Sequence, residues 1–499
     1  MSISHLNAKT NRRPSESAFG EAAVTQPTPI VQLQFPYSIN TSLVESFTAG
    51  SGAASVANSL LTISTGATTA SDSLLRSVSD AKYHSGQGAL IRWTTIFQAA
   101  GTVGTEAVVG YGNEEDGFFF GYDGATFGVL HRSGGEVEHQ TLTISAGAGT
   151  ASGTITITLD GTATEVEVVQ NDTVQSVARA IGAVTFAGWE TQVIGDAVVF
   201  ISHLAEAKAG SFTFADTDTT GTAASFAETI TGVAPTDDWI AQTAWNQDVM
   251  NGSGTSRMTL RHDQGNVYQV KFQWLGFGAI SFFVESDLTG EFVLVHRINY
   301  TNTNTATSLQ NPTLPLYVAA KNGATTTDIV VKVGSMAAFT EGPIASTSVR
   351  HSTQGTATGD LTTETCILVL KNKPIYQSRA NRVDYIPTSI TFSANGAGAA
   401  KFTTLRLVHG PILGGNTSFV DINTATSIVS FDTASTTRTG GNIISTFEFG
   451  AAVEAFMLGP DDLESLMGEH HPGNVMAITV ELDGGTSDVD VGISWQELF

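Results

Sequence analysis

One cysteine, Cys366, is all that 499 residues contain, so an intrachain disulfide is excluded. It lies in the apolar run T-C-I-L-V-L and reads as a buried, unreactive thiol. Positive charge is scarce too: Lys and Arg number 23 against 47 acids, and the formal net charge of -24 repels phosphate, which excludes nucleic acid as a partner for the body of the protein. No stretch of 18 apolar residues occurs and no hydrophobic signal segment follows Met1. The chain is therefore expected to be made in a cytoplasm, to be soluble and not to insert in a membrane. Missing as well are a P-loop, G-x-S-x-G, H-E-x-x-H and the E-x-D-x-x-E spacing that sets two carboxylates on one face of a strand. No catalytic residue, cofactor or structural metal is expected, and the chain is not read as an enzyme.

What is present is a β pattern. The 41% hydrophobic content can bury a core, while only 14% of residues are charged and 51 glycines supply turns. The length allows about three domains of roughly 150 residues. In Asn266 to Trp274, Tyr268, Val270, Phe272 and Trp274 alternate with Val267, Gln269, Lys271 and Gln273, the period of a half-buried strand; Leu275-Gly276-Phe277-Gly278 then turns the chain into a second strand, Ala279 to Val284. Strand-like runs at about ten-residue spacing precede it: Ile30 to Tyr37, Leu60 to Thr65, Leu74 to Val78, Ala89 to Phe97, Ala107 to Gly112, Gly117 to Tyr122 and Phe127 to Arg132. These stretches predict a sandwich over 28–136 and 235–342.

Between its halves the style changes. Residues 137–234 hold Thr-alternating strands and one amphipathic helix, with Val174, Val177, Ala178 and Ile181 on one face, Asp172 as its cap and Gly182 as its stop. A Thr/Gly/Ala-rich tail closes this stretch, which predicts an inserted α+β domain; long insertions at surface loops are tolerated because closure entropy grows slowly with length. A Ser/Thr/Gly linker over 343–365 leads to a C-terminal β-sandwich, 366–499, with a short helix expected at Pro460 to Gly468. The N-terminal arm, 1–27, carries Lys9, Arg12 and Arg13; it reads as a solvated tail or as an arm that docks on a neighbouring subunit.

Several clusters hold residue types that can do chemistry. Glu114-Glu115-Asp116 is the densest acidic group, but three successive acids point to alternating faces and read as turn acids. Asp216, Asp218, Asp483, Asp488 and Asp490 have the oxygen ligands that calcium takes, without the Asp-x-Asp-x-Asp-Gly loop, and read as solvated loop charge. Glu469-His470-His471 lacks further spaced ligands and reads as surface or subunit-contact histidines. Trp189, Trp239, Trp245, Trp274 and Trp495 have faces that suit sugars, yet in strands they read as core.

The runs Y-H-S-G-Q-G-A-L-I-R-W-T-T-I-F (Tyr83 to Phe97) and D-G-F-F-F-G-Y-D-G-A-T-F-G-V-L-H-R (Asp116 to Arg132) resemble structural proteins of tailed phages and large marine viruses. So do F-V-D-I-N-T-A-T-S-I-V-S-F-D (Phe419 to Asp432) and the closing V-D-V-G-I-S-W-Q-E-L-F. The strand rhythm of the first sandwich resembles concanavalin A-type jelly rolls. The resemblance implies a mainly β protein: a jelly-roll sandwich carrying the insert, followed by a second sandwich. It further implies a bacteriophage or virus particle component of the fibre, spike, capsid decoration, tail or baseplate type, on the virion exterior after synthesis in the host cytoplasm. Its partners would be other virion proteins and its own copies, as a homotrimer, with a host-surface glycan as a further contact. The alternative is a glycan-binding or glycan-cleaving jelly-roll module.

Overall fold

The computed structural model describes residue 17 and residues 26–98, 101–343, 348–395, 402–415, 417–450, 456–459 and 468–499. The fold is mainly β, as expected, and built of antiparallel sheets packed as sandwiches; Val174–Gly182 is the one α-helix among the described residues. Two compact units are formed. The first comprises 1–136, 203–206 and 233–345, and the second 137–202, 207–232 and 346–499.

In the first unit an eight-stranded sheet runs in the order Phe292–Ile298, Ile280–Glu285, Asn266–Phe272, Ala89–Phe97, Val330–Glu341, Leu60–Ser64, Ala53–Ala57, with Pro27–Gln34 also on Val330–Glu341. A seven-stranded sheet runs Thr236–Ala241, Thr126–Ser133, Gly117–Asp123, Glu106–Gly112, Leu316–Lys321, Asp72–Ser77, Val44–Ala49. Alternation decides which residues meet. Tyr268, Val270 and Phe272 point into a core with Trp93, Phe97, Phe118, Phe120 and Phe127, and the ring centroids of Phe120 and Tyr268 are 4.7 Å apart. Val270 and the phenylalanines among them, buried, contribute about 1.5–3 kcal/mol each. Leu275 and Gly276 take positive φ, 39° and 80°, where the predicted turn falls.

The first strand, expected over Ile30 to Tyr37, runs Pro27–Gln34 and so starts inside the Pro27-Thr28-Pro29 stretch; it has a neighbour on one side only, so prolines without an N–H are tolerated there. Thr236–Ala241 pairs directly with Thr126–Ser133, Asp237 opposite Arg132, and Glu136 bridges Val233, so the chain leaves and re-enters this unit at adjacent points.

In the second unit, residues 139–230 form a four-stranded sheet, a three-stranded sheet and the helix, around a core that includes Leu142, Ile155, Ile157, Val177, Ile181 and Phe200. The helix is capped by Thr173, whose Oγ1 accepts from Ser176 N at 3.2 Å, and not by Asp172, whose carboxylate instead accepts from Val169 N at 2.7 Å. Gly182 is its last helical residue and Ala183 its C-cap, so the expected glycine stop comes one residue early. The Thr/Gly/Ala-rich tail contains a strand, Ala223–Ile230, paired with His139–Ala146. Small residues there hid the β period.

The remaining strands form a four-stranded sheet, in the order Val349–Gly359, Ser487–Leu498, Asp384–Asn395, Phe456–Leu458, and a six-stranded sheet built on Thr365–Asn372, Val475–Leu482 and Phe402–His409. Trp495, Tyr385, Phe392, Leu407 and Ile478 lie in their shared core. Within the stretch read as a linker, 343–365, Val349–Gly359 is an eleven-residue strand against Ser487–Leu498. It is an outermost strand with most side chains exposed, so polar Ser, Thr and Gln serve where an inner strand would need apolar ones. The expected helix at 460–468 and the arm residues Lys9, Arg12 and Arg13 lie outside the described residues, Gly468 excepted.

Candidate functional site

The densest polar chemistry of the first unit sits where Glu106–Gly112 turns into Gly117–Asp123. Gly112 and Gly117 face each other under the Phe119 ring; a Cβ on either would lie 2.4 Å from its Cζ, so only glycine fits. Asn113 closes the turn by accepting from the N–H groups of Glu115 and Asp116, both at 3.0 Å. Asp116 accepts from Gly134 N at 3.1 Å and Gln310 N at 3.0 Å, Glu115 from Asn113 Nδ2 at 3.1 Å, and Glu114 lies 3.8 Å from an Arg76 Nη. The three are turn acids, as read, but all are buried. Each is engaged by neighbouring groups in and beside the turn.

On the same sheet Arg132 was not singled out in the sequence. Its Nε and Nη2 donate to the two oxygens of Asp237, each at 2.8 Å, and Nη2 donates to Glu106 at 3.0 Å. The guanidinium lies 5.7 Å from the centroid of the Phe119 ring. Burial opposes the charge, but Glu106 and Asp237 outweigh it and hold Arg132 firmly protonated. Burial likewise works against the Glu106 anion, and Arg132 and Lys321 reverse this, bringing its carboxyl below the usual range. The Tyr317 hydroxyl beside them is fully buried without a hydrogen-bond partner; desolvation, with Glu114 adding to it, pushes the phenol well up. These groups cross-link strands, Glu106 and Tyr317 on neighbours and Arg132 to Asp237 across the insertion point. Paired and desolvated, they are poorly placed to exchange protons with a substrate.

In the second unit the adjacent histidines part company. His470 is fully buried against Tyr385, ring centroids 4.7 Å apart and nearly parallel, whereas His471 is half-buried with Nδ1 at 3.1 Å from Asp384 Oδ1. The surface reading of His470 is thereby corrected: the bridge between His470 and Tyr385, with bonds of 3.3 and 2.9 Å, draws it beneath the sheet. Burial, then the nearby His409 and His471, lowers its pKa to about 3. Asp384, Glu469 and His471 bring one ligand atom each within 4.8 Å of one another, a three-donor set that the sequence spacing did not show because Asp384 is distant in the chain.

The other candidates fall as follows. Asp216 and Asp218 accept backbone N–H groups, from Thr220 and Gly221 at 2.8 Å and from Thr154 at 2.8 Å, and so brace their loop. Asp490 accepts from Thr356 Oγ1 at 2.6 Å. Trp189, Trp245 and Trp495 are buried and Trp239 and Trp274 partly so, which leaves little face for a sugar. Cys366 is buried, and desolvation raises its thiol to about 12.

No protein-family model and no curated protein matches the chain. Among solved structures it is similar to arcelin-5, a lectin-like defence protein from Phaseolus vulgaris, at 8% identity and TM-score 0.24 over 63% of this chain and 99% of that one. It is similar also to a structure of botulinum neurotoxin type C, whose cell entry is described as dependent on two ganglioside molecules, at 7% identity and TM-score 0.26 over 92% and 94%. A triple jelly-roll protein of an archaeal virus turret matches at 6% identity and TM-score 0.18 over 97% and 98%. None of the three superposes closely enough to bear on what the chain does.

Proposed function

We propose that the chain is a structural component of a virus particle's exterior, of the fibre, spike, decoration, tail or baseplate kind, and that it works by assembling with copies of itself and with other particle proteins. One observation carries this reading. The outermost strands of both sheets of the C-terminal sandwich present large apolar side chains to solvent: Met457 is 65% exposed, Val420 54%, Ile443 46% and Val349 38%. A sandwich that stays monomeric guards such edges with charge, proline or a covering loop, because unpaired N–H and C=O groups template association. Symmetric assembly would bury these side chains. The virion resemblance of the sequence supports the same reading, and the polar groups described above serve strand and turn geometry.

Size-exclusion chromatography with light scattering on the full chain, and on a chain lacking 1–27, tests it together with co-sedimentation on particles. Full-length protein is expected as a homo-oligomer, a trimer in this proposal, that Met457→Lys with Ile443→Lys weakens; loss of the arm is expected to weaken attachment. A chain that stays monomeric, never sediments with particles and binds on a glycan array would replace this reading with a glycan-binding module.

A further inference from the structure

Lys371 stands near the end of strand Thr365–Asn372, on the face of the six-stranded sheet opposite the sandwich core. There Cys366, Val369, Ala477 and Leu413 form a small apolar cluster of their own, with Phe419 and Val475 packed on it. A lysine in that row is unexpected. It is 1% exposed, and its Nζ has no hydrogen-bond partner among the described residues. What it does have is the Phe419 ring, 5.3 Å from Nζ to centroid, and the carboxylate of Asp196, an exposed residue that supports the charge from a distance. Burial draws the amine down to about 7, with Asp196 opposing. A cation–π contact offsets only part of what burying an ammonium costs.

Lys371 is also part of the wall of a cavity of about 330 Å³, together with Arg179, Gln175, Thr417, Phe419 and Leu413. That volume is in the range of small-ligand sites, in which mostly apolar walls carry a few convergent polar groups. Arg179 lies on the helix Val174–Gly182 and is tied down by donating to the Leu413 carbonyl, so a second cation is fixed on the same wall. Two cationic groups, one of them without an internal partner, therefore line a space whose other walls include Phe419, Leu413 and Val475.

We infer that this cavity is a binding site for a small carboxylic acid with an apolar body, its carboxylate on Arg179 and on Lys371 Nζ once that covered amine swings into the cavity, and its hydrocarbon part against Phe419 and Leu413. The carboxylate supplies the acceptor that the buried ammonium lacks, and the apolar part packs on Phe419, Leu413 and Val475. The site is independent of assembly, so its failure would leave the proposed function standing.

Calorimetry on the full-length chain with octanoate, and with n-octanol and n-octylamine as chain-matched controls, tests the inference. Octanoate is expected to bind and the controls not to. Lys371→Met keeps the length and apolar stem without the charge, and is expected to weaken octanoate binding by about tenfold to a hundredfold, the worth of one charge-assisted hydrogen bond. Its melting temperature should be no lower than that of the native chain, since an unpaired buried charge is removed. Should that variant fail to fold, Val193→Phe, which adds bulk at another lining residue and leaves Lys371 in place, is expected to abolish binding. Absence of octanoate binding up to about 10 mM, equal binding of octanol, or undiminished binding to a folded Lys371→Met would each overturn it.

Discussion

Glu497 is a fully buried carboxylate one strand end away from the chain terminus, and its removal gives a sharp test of how the C-terminal sandwich is held. Its Oε1 accepts from Ser427 Oγ at 2.6 Å and from Trp495 Nε1 at 3.0 Å, and its Oε2 accepts from Ile428 N at 3.0 Å. Its backbone pairs with Val349 on one side and Tyr385 on the other, so one side chain ties a loop to the central strand of a sheet. In Glu497→Ala the Ser427 hydroxyl still has the Val429 carbonyl within reach at 3.5 Å, but the Ile428 N–H and the Trp495 indole N–H lose their acceptor. At about 1–3 kcal/mol for each buried orphan, plus the cavity left behind, the loss should be about 3–6 kcal/mol. Glu497→Gln keeps the volume and one good acceptor, and turns an NH2 toward a remaining donor; about 1.5–3 kcal/mol is expected. Urea titration followed by hydrogen exchange of Ser487–Leu498 reads the effect where it arises. The reasoning fails if both variants lie within about 0.5 kcal/mol of the native chain, or if the glutamine variant is the weaker of the two.

Three further outcomes follow from other parts of the molecule. His262 stacks on Phe127 and bonds Tyr122 and Gln242; burial, opposed by Asp263, lowers its pKa from 6.5 to about 4, so the folded chain binds fewer protons than the unfolded one in that window and stability should fall as pH drops through it. Discounted for partial exposure, the loss is about 2 kcal/mol, and melting temperatures of native chain and His262→Gln should diverge between those pH values; parallel curves would refute it. Excess EDTA is expected to leave the melting temperature unchanged, and a large drop would make either Asp384, Glu469 and His471 or the Asp483 to Asp490 loop a resident cation site. Residues 137–234 expressed alone should give a dispersed amide spectrum, because their apolar cluster is their own; a random-coil spectrum would show that they depend on the rest of the chain.

Strands were legible wherever one face is buried and the other wet, because alternation is then written directly in residue type. Ala89–Phe97 falls on the very residues that the pattern marks. The pattern fails where a strand has little to bury. Val349–Gly359 reads R-H-S-T-Q-G-T-A-T between its end residues, and Ala223–Ile230 packs mainly alanine and one phenylalanine, so both look like linker until their partners are known. The helix was found from its apolar stripe, yet its cap was misplaced by one residue: Asp172 and Thr173 are both good caps, and only the backbone geometry chooses Thr173.

Side-chain clusters were far less legible, for a reason that the named residues make plain. Asp116 meets Gln310 across 194 positions, Arg132 meets Asp237 across 105, and Glu497 meets Ser427 across 70. Local spacing carries information only about groups on one element, and none of these pairs shares one. Burial was equally invisible. Glu114, Glu115, Asp116, His470 and Lys371 are residue types that ordinarily sit in water, and each became interesting only when found beneath the surface. Glu115, Asp116 and Glu497 accept hydrogen bonds that account for their burial, and Glu114 has Arg76 at 3.8 Å; Lys371 has an aromatic ring and a cavity. A buried acid with its donors in place is explained by the fold it holds. A buried ammonium on the wall of a cavity has no such internal partner, and the carboxylate ligand proposed for that cavity would supply one.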